Sequence, residues 1–108
     1  MKKGEIWVVE LPYIESKEQA GIRPALIISD TKSGMIVILS LTSNIQALRF
    51  PNTIEIKKSL QNGLEKDSIA LLFHIRSIDF RRLIKKVGNL EDIYVKTIDT
   101  KLKEMMLL

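Results

Sequence analysis

An arginine followed by a proline is the pair in this sequence best placed to do chemistry. Arg23 precedes Pro24 at the start of an apolar run over residues 24–29 and follows a polar loop. Proline restricts the residue before it to extended backbone geometry, so the guanidinium is held on a stiff segment. Its permanent charge and parallel N–H donors suit a phosphate group. From the residues alone, a surface arginine paired with Glu18 or Glu55 is the simpler interpretation.

Metal and nucleophile chemistry have little support in the sequence. His74 is the only histidine, and the absence of cysteine excludes disulfides and cysteine-ligated zinc. The sequence contains no His-Glu-x-x-His motif, no phosphate-binding glycine loop and no serine-nucleophile motif. We therefore expect neither a metal ion nor another cofactor. A lone histidine such as His74 is also commonly a packed residue at the edge of a core.

The composition is that of a small globular protein with a mild excess of positive charge. The chain has 108 residues, 45% hydrophobic and 28% charged, with 17 Lys and Arg against 13 Asp and Glu. This length favours a single domain over residues 1–108. The net charge of +4 is compatible with a polyanionic partner, although many basic proteins bind no nucleic acid. We see no signal peptide and no membrane-spanning run, so the predicted location is the cytoplasm.

The pattern of apolar residues predicts a mainly β fold, a small antiparallel barrel of about five or six strands with a C-terminal helix. The predicted strands cover residues 6–11, 24–29, 35–41, 53–57 and 68–78, and the last of these bends partway. Turn-forming residues between the second and third strands predict a hairpin. Asp79 is expected to cap a short helix over residues 80–84, and Asn89 a longer helix reaching about Met106.

Four segments in order resemble the MazF/PemK family of toxins. Residues 18–29, with the sequence Glu-Gln-Ala-Gly-Ile-Arg-Pro-Ala-Leu-Ile-Ile-Ser, resemble the family's signature loop and second strand. Residues 4–8 are similar to its opening strand, and residues 41–44 to the end of its third strand. Residues 67–79 resemble its long penultimate strand, and residues 81–83 the helix start after it. The resemblance implies an SH3-like barrel, a homodimer and metal-independent cleavage of single-stranded RNA.

The resemblance also implies site residues and a protein partner. The family's catalytic positions fall on Arg23 and Thr42, and its acidic loop residue falls on Glu18. The implied RNA contacts come from Gln19, Ser43, Asn44, His74 and Arg76. The family often has glutamine where this chain has His74, so that contact can differ. The implied partner, besides RNA, is a cognate antitoxin whose disordered tail covers the RNA groove.

These residue types suffice for RNA cleavage, because RNA carries its own nucleophile, the 2′-hydroxyl. Arg23 suits charge stabilisation on the phosphorane, and Thr42 can donate one hydrogen bond to a non-bridging oxygen. The proton acceptor is open between Glu18 and His74, since arginine stays protonated in proteins. The expected products carry a 2′,3′-cyclic phosphate and a 5′-hydroxyl.

The site residues also have purely structural interpretations. Thr42 could cap a strand end, Glu18 could be a solvated loop acid, and Arg76 could pair with Asp79. Trp7 is expected in the core rather than as a platform for stacking bases. Five further basic residues could contact phosphate or simply face solvent: Arg49, Lys57, Lys58, Arg81 and Arg82.

Two rival functions fit the same fold. A toxin similar to the CcdB class would poison DNA gyrase without needing Arg23, Pro24 or Thr42. A small basic barrel would bind RNA or protein without cutting it.

Overall fold

The computed structural model describes residues 1–11 and 21–108, so the predicted site residues Glu18 and Gln19 lie outside the described part of the chain. The described part forms one seven-stranded sheet, antiparallel at every pairing, and one α-helix. The elements are β1 (Glu5–Leu11), β2 (Gly21–Asp30), β3 (Met35–Thr42), β4 (Thr53–Ile56), β5 (Ser68–Leu71), β6 (Arg76–Asp79), β7 (Leu83–Asn89) and α1 (Asp92–Met106). Short 3₁₀ helices cover Ile45–Arg49, Leu72–His74 and Phe80–Arg82.

Strand β3 organises the sheet because different parts of it pair with different strands. It forms the predicted hairpin with β2, its first half pairs with β6, and Leu41 and Thr42 pair with β5. The partner changes where the 3₁₀ helix Leu72–His74 separates β5 from β6. The bend predicted within residues 68–78 is this 3₁₀ helix, and the predicted single strand is therefore two strands.

The sheet curls but does not close, so the predicted barrel is wrong in this respect. The two strands that would have to pair to close a barrel are β6 and β7. Strand β6 pairs with β3, and strand β7 pairs with β1. The 3₁₀ helix Phe80–Arg82 carries the chain from one edge to the other. Asp79 caps it as predicted, but the helix ends before residues 83 and 84, which belong to β7. No pairing joins β6 to β7 within the described residues. An ion pair between Arg82 and Glu10 (3.4 Å) links the turn after β6 to β1.

The predicted start of the C-terminal helix is also wrong. Asn89 is the last residue of β7, and its backbone N–H donates to the carbonyl of Gln61. The helix begins at Asp92, with Glu91 as its N-cap. Asn89 has a suitable side chain for a cap, but pairing with the rest of the sheet holds its backbone in the strand.

Each face of the sheet carries a core, because side chains alternate between the faces of a strand. On one face α1 packs Ile98 and Leu102 against strand residues such as Leu39 and Leu41. The other core lies inside the curl and contains Val9, Ala25, Ile27, Ile36, Ile38 and Ile78. Trp7 packs at its edge, as predicted. None of the helices in the described residues is long and apolar enough to cross a membrane.

Candidate active site

Arg23 and Thr42 meet at one end of the β2–β3 hairpin. Ala25 lies opposite Ser40 in this pair, and two residues further along each strand lie Arg23 and Thr42. Because side chains alternate with a period of two, Arg23 and Thr42 project from the same face as Ala25 and Ser40. Both line one solvent-open groove of about 560 Å³. The structure therefore brings together the two described residues that were predicted to be catalytic.

The hydroxyl of Thr42 is held in place by the backbone. Thr42 is 7% exposed, and its Oγ1 accepts a hydrogen bond from the Asn44 N–H at 3.2 Å. A hydroxyl that accepts from the backbone can still donate its own proton outward. Thr42 thus closes the end of a strand and offers a fixed donor to the groove, so its structural and functional interpretations are compatible.

Three lysines on the groove wall supply positive charge that the sequence analysis did not assign to the site. Lys66, Lys85 and Lys86 line the groove together with Arg23 and Thr42, and we call this set the cationic groove. Ser43 and the single acidic residue Glu65 also line it. Among the described residues, Lys66 and Lys85 have no ion-pair partner, whereas Lys86 binds Glu5 at 3.2 Å. Two of the three lysines are therefore available to phosphates.

Glu5 keeps Lys86 engaged because its carboxylate stays charged. Burial raises the pKa of Glu5, but hydrogen bonds from the Trp7 indole, the Lys2 backbone N–H and Lys86 outweigh burial and lower the pKa below its usual value. A carboxylate with a lowered pKa is ionised at neutral pH.

Three of the basic residues considered for phosphate contact are paired with acids instead. Lys57 lies 3.2 Å from Glu55 and 3.5 Å from Asp67. Arg81 donates to both carboxylate oxygens of Asp79, and Arg82 pairs with Glu10. The sequence carried a signal for one of these pairs. Glu55 stands two positions before Lys57, a spacing that keeps side chains on one face of an extended chain, whereas Arg81 lies in the 3₁₀ helix that Asp79 caps.

A second recess, of about 290 Å³, also has Thr42 in its wall. Its other lining residues include Asn44, Gln46, Arg49, Phe50, Phe73 and His74. We call it the aromatic recess, after Phe50, Phe73 and His74. The His74 ring meets the Phe73 ring edge-on, with centroids 4.9 Å apart. Asn44 accepts from the Gln46 N–H at 3.0 Å and so caps the 3₁₀ helix Ile45–Arg49.

The remaining predicted RNA contact lies elsewhere on the sheet. Arg76 is half-buried in β6 opposite Ile38 and is not among the residues that line the cationic groove or the aromatic recess. The predicted contacts thus divide into Ser43 in the groove, Asn44 and His74 in the recess, and Arg76 on the edge strand.

Buried Asn62 anchors the loop that forms one wall of the cationic groove. Its Oδ1 accepts from the backbone N–H groups of Ser59 (3.0 Å) and Leu64 (3.1 Å). Its Nδ2 donates to the Lys57 carbonyl (2.9 Å) and to Glu91 (3.1 Å). Burial raises the pKa of Glu91, but hydrogen bonds, chiefly from Ser59, outweigh burial and lower it. The loop therefore rests on a charged acceptor at the start of α1.

Within residues 1–11 and 21–108, no group of three or more histidine, cysteine, aspartate or glutamate side chains is arranged to hold a metal ion. The expectation of metal-independent catalysis stays a prediction.

The sequence matches the family of PemK-like, MazF-like toxins of type II toxin–antitoxin systems over residues 2–106. The chain belongs to this family. The toxin is 35% identical over 103 residues to the endoribonuclease MazF of Staphylococcus saprophyticus, covering 92% of this chain and 85% of that protein. It is 32% identical over 107 residues to the endoribonuclease EndoA of Bacillus subtilis, covering 95% and 91%. The crystal structure of MazF from Deinococcus radiodurans shares the fold, with a TM-score of 0.84 at 20% identity over 100% of this chain and 97% of that one.

Proposed function

We propose that this toxin is an endoribonuclease that cuts single-stranded RNA, with mRNA in the cytoplasm as its target. The observation that carries the proposal is the convergence of Arg23 and Thr42 in one solvent-open groove whose wall also holds Lys66 and Lys85. Membership of the toxin family and two relatives named as endoribonucleases support the same activity. A gyrase poison would not need this arrangement of a guanidinium, a hydroxyl held by the backbone and two lysines without ion-pair partners among the described residues.

The proposed reaction is attack of the 2′-oxygen on the adjacent phosphorus. The 2′-hydroxyl loses its proton to a base, the new P–O2′ bond forms, and the P–O5′ bond breaks. The leaving 5′-oxygen takes up a proton, so the products are a 2′,3′-cyclic phosphate and a 5′-hydroxyl. Arg23 stabilises the charge on the phosphorane oxygens with its N–H donors, and Thr42 donates a hydrogen bond to one of them.

We propose Glu18 as the proton acceptor. Glu18 stands five residues before Arg23 in the sequence, whereas His74 lines the aromatic recess with its ring against Phe73. General-base help is typically worth about 10²–10⁴ in rate. Glu18→Gln should slow single-turnover cleavage by that order, and His74→Gln should slow it far less. The opposite ranking, with loss of an inflection near pH ~6–7 in His74→Gln, would make His74 the base.

Incubation of the purified protein with a long single-stranded RNA in EDTA tests the activity. We expect discrete fragments with cyclic-phosphate ends, and no fragments from the Arg23→Ala variant. A binding module would shift the RNA in a gel without cutting it. A gyrase poison would leave RNA intact and inhibit DNA supercoiling.

We propose that the toxin acts as a homodimer, as small domains with exposed apolar side chains often do. Ile93 on α1 is 73% exposed and is one such side chain. Sedimentation at micromolar concentration should give a species of twice the chain mass of 12.4 kDa. A monomer alone at that concentration would contradict the proposal.

We propose that an acidic, partly disordered antitoxin segment inhibits the toxin by lying in the cationic groove. Such a segment mimics the phosphate backbone and becomes ordered on binding. It should compete with RNA, and the competition should weaken when Lys66 and Lys85 are replaced by alanine. Inhibition that left RNA binding unchanged would contradict this site-blocking arrangement.

A further inference from the structure

The aromatic recess exposes flat rings beside a residue of the proposed catalytic pair. Phe50 and Phe73 are 47% and 44% exposed, and their ring centroids lie 6.1 Å apart at an interplanar angle of 73°. The Arg49 guanidinium lies 4.9 Å from the centroid of the Phe50 ring. Two half-exposed rings in contact, with a third ring and a guanidinium against them, form a cluster rather than scattered apolar exposure.

This combination matches the surface that binds an unstacked base of single-stranded RNA. Such bases stack on aromatic side chains and on arginine planes, and their edges form hydrogen bonds with nearby polar groups. The wall of the recess supplies polar groups in the side chains of Asn44, Gln46 and His74. Amide and imidazole groups carry both donors and acceptors, which can distinguish one base edge from another.

Thr42 connects this surface to the proposed chemistry, because it is the residue that lines both the cationic groove and the aromatic recess. A phosphate bound at Arg23 and Thr42 places a neighbouring nucleotide at the mouth of the recess. The lysines of the groove contact the RNA backbone, which carries no sequence information directly. Base contacts in the recess do carry it.

We infer that the aromatic recess holds one nucleobase next to the cleaved phosphate, stacked on Phe73 or Phe50, and thereby selects where the RNA is cut. This inference rests on the proposed endoribonuclease function. Phe73 is the central residue, since its ring contacts both Phe50 and His74.

The test pairs a protein variant with a modified RNA. The cut site is first mapped with wild-type protein. A short RNA is then made with a 2′-deoxy nucleotide at the attacking position, so that it binds without being cut. Further copies carry an abasic residue on one or the other side of that phosphate. Binding of each RNA is measured for wild type, Phe73→Leu and Phe80→Leu, where Phe80 is a matched control, 48% exposed and outside the aromatic recess.

Stacking of one base on an aromatic side chain corresponds to roughly 5- to 100-fold in binding. We expect Phe73→Leu to lose about this factor on intact RNA and little on one of the abasic RNAs, while Phe80→Leu binds like wild type. The cut sites of Phe73→Leu on a long RNA should also lose their preference at one position. A fluorescent 2-aminopurine at that position should be quenched by wild-type protein, a readout that needs no variant to fold.

The contrary outcomes are distinct. Equal binding and unchanged cut sites in Phe73→Leu, with no quenching in wild type, would overturn the inference and leave the nuclease proposal intact. A wild-type protein that cuts no RNA would overturn the nuclease proposal itself. If Phe73→Leu changed the sedimentation mass but not the base preference, the recess would be a contact between copies of the chain, which also overturns the inference.

Discussion

The two sides of Thr42 differ in both chemistry and supporting structure. The cationic groove is built mainly from strands β2 and β7 and the loop anchored by Asn62, and it presents Arg23, Lys66 and Lys85. The aromatic recess is built largely from two 3₁₀ helices, Ile45–Arg49 and Leu72–His74, with adjoining Phe50.

On the proposed assignments, the cationic groove contacts the sugar–phosphate backbone, which all RNAs share. The aromatic recess contacts a base, which differs from one RNA sequence to another. Phosphate contacts are needed for any sequence, and the residues proposed for them stand largely on paired strands, whose geometry is fixed by the ladder of hydrogen bonds. The residues proposed for base contacts stand on short connecting segments, which can change their side chains without disturbing the sheet. Variants of the cationic groove, of the shared Thr42 and of a residue outside both regions should differ in the size and kind of their effects.

Arg23→Ala should have the largest effect and should act on the groove alone. Loss of one well-aimed donor to a developing negative charge typically costs about 10²–10³ in rate, and Arg23 supplies both donors and charge. Single-turnover cleavage should fall at least that far, while the melting temperature changes little. Arg81→Ala is the matched control, because Arg81 pairs with Asp79 and lines neither the cationic groove nor the aromatic recess. Wild-type cleavage by Arg23→Ala would remove Arg23 from the site.

Thr42→Val should slow cleavage by roughly 10- to 100-fold, because valine keeps the shape of threonine but cannot donate the hydrogen bond. Since Thr42 lines both the cationic groove and the aromatic recess, this variant tests the residue that they share. Thr100→Val, which removes an exposed hydroxyl on α1 outside both the groove and the recess, serves as the control. Equal losses in the two variants would mean that no single hydroxyl has the assigned role.

The double variant Lys66→Ala with Lys85→Ala should weaken RNA binding nearly uniformly across sequences. Each phosphate contact on a single strand contributes about 0.7 to the slope of log affinity against log salt, so the magnitude of the slope should fall by about 1.4. The control, Lys96→Ala with Lys101→Ala, removes the same charge from the exposed side of α1. A change in cut-site preference in the lysine variant would contradict the proposal that the cationic groove contacts only the RNA backbone and the aromatic recess contacts the base.

Asn62→Ala should destabilise the fold by about 1–3 kcal/mol, because it leaves buried hydrogen-bonding partners unsatisfied. Its cleavage defect should be milder than the defects of the groove variants and should be seen as weaker RNA binding, since Asn62 holds the wall of the cationic groove. Base preference should stay unchanged. Thermal melting measures the loss of stability. The control is Asn89→Ala, which removes an exposed asparagine side chain.

The smallest effect is expected from Asp79→Asn, outside both recesses. Hydrogen bonds from the Arg81 side chain and backbone lower the pKa of Asp79 to about 2. A lowered folded-state pKa stabilises the protein above the unfolded value of about 3.9, and that stabilisation is lost as pH falls toward 2. The variant should melt slightly below wild type at pH ~5, the gap should close in stronger acid, and cleavage should be unaffected.

Much of the fold was accessible from local sequence patterns. Apolar runs joined by turn-forming residues predicted the hairpin of β2 and β3, alternating apolar residues predicted β4, and Asp79 was recognised as a helix cap. Strand β7 was missed because Lys85 and Lys86 interrupt the apolar pattern, and its pairing with β1 supplies the stability that its side chains do not. The barrel was overstated because the sequence does not show which strand edges meet.

The sequence by itself determined the chemical inventory of the site. It held Arg23 rigid through Pro24, placed Thr42 at a strand end and, through family motifs, marked both as catalytic candidates. Only the tertiary structure decided which other charges join them. Lys66 and Lys85 are far apart in the chain and both line the groove because β7 pairs with β1 and the loop before β5 is bonded to β7 through Asn89 and Gln61. From the sequence, Lys57, Arg81 and Arg82 are also candidates for phosphate contact. In the structure, each of them is paired with a nearby carboxylate. Charge alone is a property of the sequence, whereas a free charge facing a groove depends on distances that folding sets.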